Sequence, residues 1–297
     1  MKVRIGYGIG TQGLAEGGAR FAELIDALEA LGFDSIWCSE RATGPIPEPM
    51  VSLAFAAGRT KKLKLGTSVQ VLPGRSPARV AKAWATLDVL SGGRALPAFG
   101  LGIAQPVEQQ AFGVERAERA AIFDEALPLI RRLWEEDAVD HDGGHFHYSG
   151  MTVLPKPTKR LDVWLGGKAP SELRRVGKLA DGWLASFSSP EDCKAGRDAI
   201  EQAAAAAGRA IDDDHYGAMV FYTHDEIPER LLQLLASRNP GADPDDLVAH
   251  GWTAVRDLCE RYVAVGFTKL VLVPFTEPAD WDDELATGAR AVLPIQN

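Results

Sequence analysis

Leu65-Gly66-Thr67-Ser68-Val69-Gln70-Val71-Leu72-Pro73 is the stretch whose reading decides the fold. It comes after the basic run Lys61-Lys62-Leu63-Lys64, alternates small, β-branched and apolar residues, and stops at a proline, which is the pattern of a β-strand. Gly66, Thr67 and Ser68 leave its middle with little bulk, so a large planar molecule could lie against the backbone there. A glycine-relieved strand is more often a bulge or a tight packing contact than a ligand bed. The residues beyond Pro73 change that balance: a helix pattern from Ala78 to Leu90, then Ser91-Gly92-Gly93-Arg94, then a second glycine-bearing strand, Ala98-Phe99-Gly100-Leu101-Gly102.

Working outward, the same strand-then-helix unit recurs. Val3 to Ile9 reads as the first strand, with a helix over Phe21–Leu31 ended by Gly32. Phe33–Cys38 and Met50–Arg59 form the second unit, Leu63–Val71 and Ala78–Leu90 the third, Arg94–Leu101 and Ala120–Glu136 the fourth. Leu161–Leu165 with Pro170–Ala180, Trp183–Ser186 with Glu191–Ala207, and Tyr216–Tyr222 come next. Val255–Ala264 and Lys269–Val273 close the series. Eight units imply an α/β fold, a (β/α)8 TIM barrel over residues 1–297 as a single domain, at a length that suits one such barrel. The alternative is a doubly wound open sheet, against which stands the missing Gly-x-Gly-x-x-Gly at the first turn. A small hairpin is expected before strand five, where Gly143-Gly144 precedes alternating His145, Phe146, His147 and Tyr148. A loop insertion with a short helix (Pro228–Ala236), a candidate lid, is expected over Thr223–Gly251, before the last helix.

Composition bounds the function. The 297 residues are 46% hydrophobic and 25% charged, with 32 Lys plus Arg against 41 Asp plus Glu and a formal charge of -9. That balance speaks against nucleic acid or an anionic membrane surface as the partner. Cys38, Cys193 and Cys259 are odd in number and lack metal-ligand spacing, so neither a disulfide framework nor a zinc site is expected, and Cys38 reads as a core residue. No signal peptide or apolar span of about 18 residues is visible, so a cytoplasmic protein is expected.

In a barrel of this kind chemistry belongs at the carboxyl ends of the strands. Those ends deliver Thr11 and Gln12, which could contact a substrate; Ser39, Glu40 and Arg41; Ser68 and Val69; Gly100, Leu101 and Gly102; and Gly166, Gly167 and Lys168. Gly166-Gly167-Lys168 before a helix opening at Pro170 reads either as a phosphate cradle or as a turn with an exposed lysine. Glu40 with Arg41 reads either as a solvated ion pair or, if desolvated, as an acid or base. The six histidines lie in hairpin or loop context, His141 without a visible partner. Neither a nucleophile elbow nor a metal ligand set is apparent.

Six ordered segments resemble the luciferase-like monooxygenase superfamily, and most closely its actinobacterial branch that uses the deazaflavin coenzyme F420. They are Phe33–Trp37, Leu65–Val69, Ala85–Arg94, Gly100–Gly102 with Glu108 and Ala111–Val114, Pro155-Lys156-Pro157, and Leu165–Gly167 with Ala180–Trp183. The resemblance implies a barrel with F420, or alternatively FMN, at its mouth, and a non-prolyl cis peptide behind the central ring at Ser68-Val69. It places the polar pair after strand two on Ser39 and Glu40, the Gly-x-Gly after strand four on Gly100, Leu101 and Gly102, and the phosphate contacts on Gly166, Gly167 and Lys168.

Three departures leave the substrate uninherited: Ile103 stands where relatives carry Trp or Glu, Ser39-Glu40 where the sugar-phosphate dehydrogenases pair Asp with His, and Gln109 where an aromatic is usual. The resemblance thus implies a homodimeric oxidoreductase moving a hydride between F420 and a small organic molecule, with Glu40 handling the proton. An FMN-dependent two-component monooxygenase and a non-catalytic cofactor-binding protein are its rivals.

Overall fold

The computed structural model describes residues 2–10, 17–227, 229–240 and 242–297. The expected substrate residues Thr11 and Gln12 lie outside them. The strands are β1 (Arg4–Gly8), β2 (Ser35–Cys38), β3 (Lys64–Thr67), β4 (Gln70–Val71), β5 (Ala95–Leu96), β6 (Ala98–Gly100), β7 (Val139–Asp142), β8 (His147–Met151), β9 (Trp164–Leu165), β10 (Gly182–Ala185), β11 (Tyr216–Thr223), β12 (Val248–His250) and β13 (Lys269–Pro274). The helices are α1 (Gly18–Leu31), α2 (Pro49–Arg59), α3 (Pro77–Ser91), α4 (Pro106–Phe112), α5 (Arg119–Glu135), α6 (Pro170–Leu179), α7 (Pro190–Ala206), α8 (Glu229–Arg238), α9 (Gly251–Ala264) and α10 (Trp281–Val292).

β3 and β4 are two halves of one strand, interrupted at Ser68-Val69, whose peptide bond is cis. β5 and β6 are likewise halves of one strand, split at Pro97, which has no N–H to give to a ladder. With those halves joined, every step is a parallel pairing and the ring closes. β1 pairs with β2 and β13, β2 with β3, β3 with β5, β4 with β6, then β6, β9, β10, β11 and β13 in turn. A doubly wound open sheet is thereby excluded. Thr67 mends the break: its hydroxyl donates to Ala98 O at 2.7 Å and accepts from Ala98 N at 3.1 Å.

The predicted hairpin is β7–β8, an antiparallel pair. The insertion after β11 holds more order than a loop. Besides α8 it carries β12, which pairs in parallel with β11. α4 and α10 have no counterpart in the sequence expectations, and α10 rather than α9 is the last helix. Its start is set by Asp280, whose side chain accepts the N–H groups of Asp282 and Asp283 at 2.9 and 3.1 Å.

The main core lies between the sheet and its helices. A second cluster fills the barrel interior around Trp37 and Trp164, whose rings meet edge-on at 6.4 Å. Glycine makes room for both. A Cβ on Gly66 would stand 2.6 Å from the Trp37 ring, and one on Gly182 2.6 Å from the Trp164 ring. The gap read at Gly66 is therefore filled by a core side chain, and the packing reading holds there. Arg94, from the Ser91–Arg94 motif, is structural too: its guanidinium donates to Leu63 O (2.7 Å), Ala57 O and Thr60 O (both 3.0 Å). No helix among the described residues is long and apolar enough to cross a membrane.

Candidate active site

Above the tryptophans, at the carboxyl ends of the strands, opens a cavity of about 500 Å3. Ser39, Glu40, Ser68, Val69, Gly100, Leu101, Gly102, Gly166, Gly167 and Lys168 all line it. The wall supplied by strands two to five is thin. Val69 nests between glycines: a Cβ on Gly100 would lie 2.5 Å from its Cγ2, and one on Gly166 3.3 Å from its Cγ1. Gly102, at φ 78, needs the left-handed backbone that glycine accepts most readily. Glycine thus lets Val69 lie low and keeps the space above it open. Ser39 braces Ser68, its hydroxyl 3.1 Å from that of Ser68.

Glu40 is buried, its side chain 5% exposed. One carboxylate oxygen accepts Val71 N–H at 2.6 Å and the other pairs with Arg75, tying the carboxylate to the strand after the cis step. Burial pushes this carboxyl above its usual range despite the opposing pull of Arg75 and the Val71 N–H. It is not the solvated pair with Arg41 that the sequence allowed. Arg41 turns to Glu108 instead, at 3.3 Å, and Glu108 also accepts the N–H groups of Ala42 and Thr43, both at 3.0 Å. Burial alone would raise the Glu108 carboxyl, but the hydrogen bonds from Thr43, Ala42 and Arg41 outweigh it and hold it below the usual range. A glutamate on α4 thereby fixes the loop after β2 over the cavity.

The phosphate-cradle reading of Gly166-Gly167-Lys168 meets a complication. The N–H groups of Lys168 and Ala169 donate to Glu172 at 3.0 and 2.9 Å, so a carboxylate of the protein already sits at the start of α6. Lys168 reaches Asn239 and, at 3.3 Å, Phe187 O. Arg175 lines the same end and pairs with Asp124.

Sequence reasoning missed Arg119. Buried on α5, it donates to the carbonyls of Leu101, Gly102 and Ile103 at 3.1, 3.2 and 3.0 Å, holding the Gly-x-Gly loop. An arginine at the start of a helix gives no hint of this in sequence. It also missed Phe221 and Phe275, which join Phe187, the expected end of strand six, on the opposite wall. His141, expected without a partner, contacts Glu125 at 2.9 Å. The cysteines are free and buried. Asp212, Asp214 and His215 bring ligand atoms within 4.8 Å of one another, but at the foot of β11, away from the cavity.

The sequence and the fold are similar to those of known proteins. The sequence profile of a family described as luciferase-like monooxygenase matches residues 2–262. An F420-dependent glucose-6-phosphate dehydrogenase of Kineococcus radiotolerans is 28% identical, covering 91% of this chain and 90% of that protein. A 5,10-methylenetetrahydromethanopterin reductase of Archaeoglobus fulgidus is 30% identical, covering 75% of this chain and 67% of that protein. Among solved structures, an F420-dependent secondary alcohol dehydrogenase in complex with an F420-acetone adduct superposes with a TM-score of 0.82 over the whole of both chains, at 20% identity, a likeness of fold.

Proposed function

The chain belongs to the luciferase-like monooxygenase family, and we propose that it is an F420-dependent oxidoreductase that exchanges a hydride with a small organic substrate at the barrel mouth. One observation carries the reading. Four neighbouring strand ends present Ser39, Ser68, Val69, Gly100, Gly102 and Gly166 as a thin wall over a cavity of about 500 Å3. That wall fits a flat, fused-ring cofactor. The charged end beside Lys168 and Arg175 fits an anionic tail. Two of these relatives carry F420 in their names, which supports this cofactor over FMN.

When bound, F420 supplies hydride exchange at C5 of its deazaflavin ring. The protein's own residues do the rest. Val69, held low by Gly100 and Gly166, would back the ring, with Ser39 and Ser68 beside it, and Gly166, Gly167 and Lys168 would hold the phosphate end. Glu40 is the acid assigned to proton delivery, since burial keeps its carboxyl protonated further up the pH scale than a solvated one. Leu101, Gly102 and Ile103, clamped by Arg119, close the side of the slot and keep out water.

The same reading makes the protein a cytoplasmic homodimer. In support, Val51 and Phe55 on α2 and Val89 and Leu90 on α3 are 40–74% exposed, an apolar face on two adjacent helices. Sedimentation would show twice the chain mass.

Titration of the purified protein with oxidised F420, followed by cofactor fluorescence, tests the reading; a saturable single-site change is expected. Tight binding of FMN with none of F420 would replace it with the FMN-dependent monooxygenase. F420 binding without turnover across enones, imines, alcohols and nitro compounds would leave a cofactor-binding protein.

A further inference from the structure

The cavity has two unlike halves. Opposite the thin wall, β10, β11 and β13 end in an aromatic panel. The Phe187 and Phe221 rings stack at 4.1 Å and 11°. Phe221 and Phe275 lie at 5.4 Å and 29°, Phe187 and Phe275 at 6.4 Å and 26°. Phe221 and Phe275 are 5% and 6% exposed, with Met219 at 7% beside them, whereas Phe187 is only partly buried. Phe187 also sits at φ 51, a left-handed conformation uncommon for a bulky residue. The chain accepts an unfavourable backbone geometry where a large ring joins the cavity wall, and such outliers cluster at ligand sites.

The polar groups point the same way. Among the described residues lining the cavity, Arg41 is paired with Glu108, while Lys168 and Arg175 stand at the end given to the cofactor's anionic tail. A phosphorylated sugar would have to compete with that tail or with Glu108 for a cation. The position after the Gly-x-Gly is Ile103, which adds apolar surface at the rim.

Resting on the proposed function, we infer that the substrate is a flat, uncharged aromatic molecule with a carbonyl-conjugated double bond, stacked on the Phe187–Phe221–Phe275 panel and facing the cofactor across the slot. Parallel offset rings gain from stacking in addition to apolar burial, and a planar ligand laid on Phe187 continues the Phe187–Phe221 stack. Atoms and electrons balance. The β carbon of the double bond accepts a hydride from reduced F420 and forms a C–H bond. The π electrons shift towards the carbonyl, and the α carbon takes a proton delivered by Glu40 and recovered from solvent. The substrate gains two electrons and the cofactor loses them.

Benzylideneacetone serves as the flat aromatic enone, cyclohex-2-enone as the small non-aromatic one and glucose 6-phosphate as the polar rival. Binding of each is followed by calorimetry with and without F420, and turnover by recovery of oxidised F420 from its reduced form. Benzylideneacetone is expected to exceed cyclohex-2-enone in kcat/KM by roughly tenfold or more, the scale of one good aromatic contact. Phe187→Leu, which keeps an apolar side chain but loses the ring, should weaken benzylideneacetone binding by a similar factor. It should weaken cyclohex-2-enone by a clearly smaller factor and leave F420 affinity in place, and Phe187→Tyr should restore the loss. F420 binding combined with a preference for glucose 6-phosphate, or with no preference for the aromatic enone, overturns the inference and leaves the proposed function standing. Ring-dependent binding of benzylideneacetone without any F420 binding upholds the flat-ligand site and removes the cofactor reading. Binding of neither removes both.

Discussion

The two ends of the barrel use the same strands in opposite ways. At the amino-terminal floor, Asp34 ahead of β2 meets Lys269 of β13 at 2.8 Å, Lys64 of β3 at 3.0 Å and Arg4 of β1 at 3.5 Å. Asp34 and Lys269 are each 8% exposed, so this is a closed ionic knot lacing four adjacent strands. At the mouth the strands that come after β1 round the ring end in serine and glycine, with a cavity where the knot would be. The charged groups close the floor, whereas at the mouth they surround an open cavity. In barrels of this type the floor carries stability and the mouth carries chemistry, so changes at the two ends should separate in their readouts.

The largest effect should come from the floor. Asp34→Asn leaves Lys269 buried without its counter-charge, and breaking such a pair costs about 3–5 kcal/mol. Thermal melting should fall steeply while F420 affinity of the folded protein stays unchanged; lost affinity with an unmoved melt would break the contrast. The pH dependence has a definite sign. Burial alone would raise the Asp34 carboxyl, but Lys269 and Lys64 prevail and hold it below the usual aspartate range. Its contribution is therefore complete above the unfolded aspartate range and is lost as pH falls through the lower folded value. The wild type should show an acid-side loss of stability that the variant lacks.

Glu40→Gln should act on turnover. An acid that gives a proton in the rate-limiting step contributes about 10²–10⁴-fold, so a rate loss of at least about 100-fold is expected. Because burial raises the Glu40 carboxyl, the wild-type rate should decline as pH climbs through that raised value, where the proton-donating form disappears. The variant should lack this limb. An unchanged rate with a lowered melt would make Glu40 only the tether of Val71 and Arg75.

Most of the strands, helices and core were legible in sequence, because apolar periodicity and glycine caps are local signals. Gly32 is the left-handed cap expected after α1, at φ 87. The mouth was legible only as a set of strand ends. Its polar partners come from distant positions: Glu108 holds the loop at Ala42 and Thr43, Arg119 holds Leu101, and Phe187, Phe221 and Phe275 meet only once the ring has closed. Glycine was the least readable residue. Gly66 and Gly100 look alike in sequence, yet one yields to the Trp37 ring inside the core and the other lets Val69 lie under the cavity. The ionic knot was unreadable because Asp34 and Lys269 stand far apart in the chain.

Gly100→Ala tests the thin wall directly. Its Cβ would lie 2.5 Å from Val69 Cγ2, so Val69 must shift. Overpacking of this kind costs about 1–3 kcal/mol, and F420 affinity should fall by roughly tenfold if the cofactor rests on Val69. Gly58→Ala on α2, where a Cβ would meet nothing within 4 Å, is the matched control. It should be neutral or stabilising by about 0.5–1 kcal/mol, with cofactor affinity intact. Equal effects from the two substitutions would dissolve the distinction between wall and scaffold.

The smallest effect concerns Glu172, which takes up backbone donors at the mouth as Glu40 and Glu108 do. Its carboxylate accepts the N–H groups of Lys168 and Ala169 at the start of α6, where an anionic cofactor tail would otherwise bind. Glu172→Gln keeps an acceptor oxygen and removes the charge. A helix start loses about 0.3–1 kcal/mol when an acidic residue there is neutralised, so the melt should drop slightly. F420 affinity should rise by a factor of roughly two to five, because the tail no longer approaches a fixed negative charge, and by the same Coulomb argument the gain should shrink as salt is added. A fall in affinity instead would mean that Glu172 fixes the Gly166–Lys168 turn in the shape the tail requires. That would make the carboxylate part of the ligand site rather than its rival.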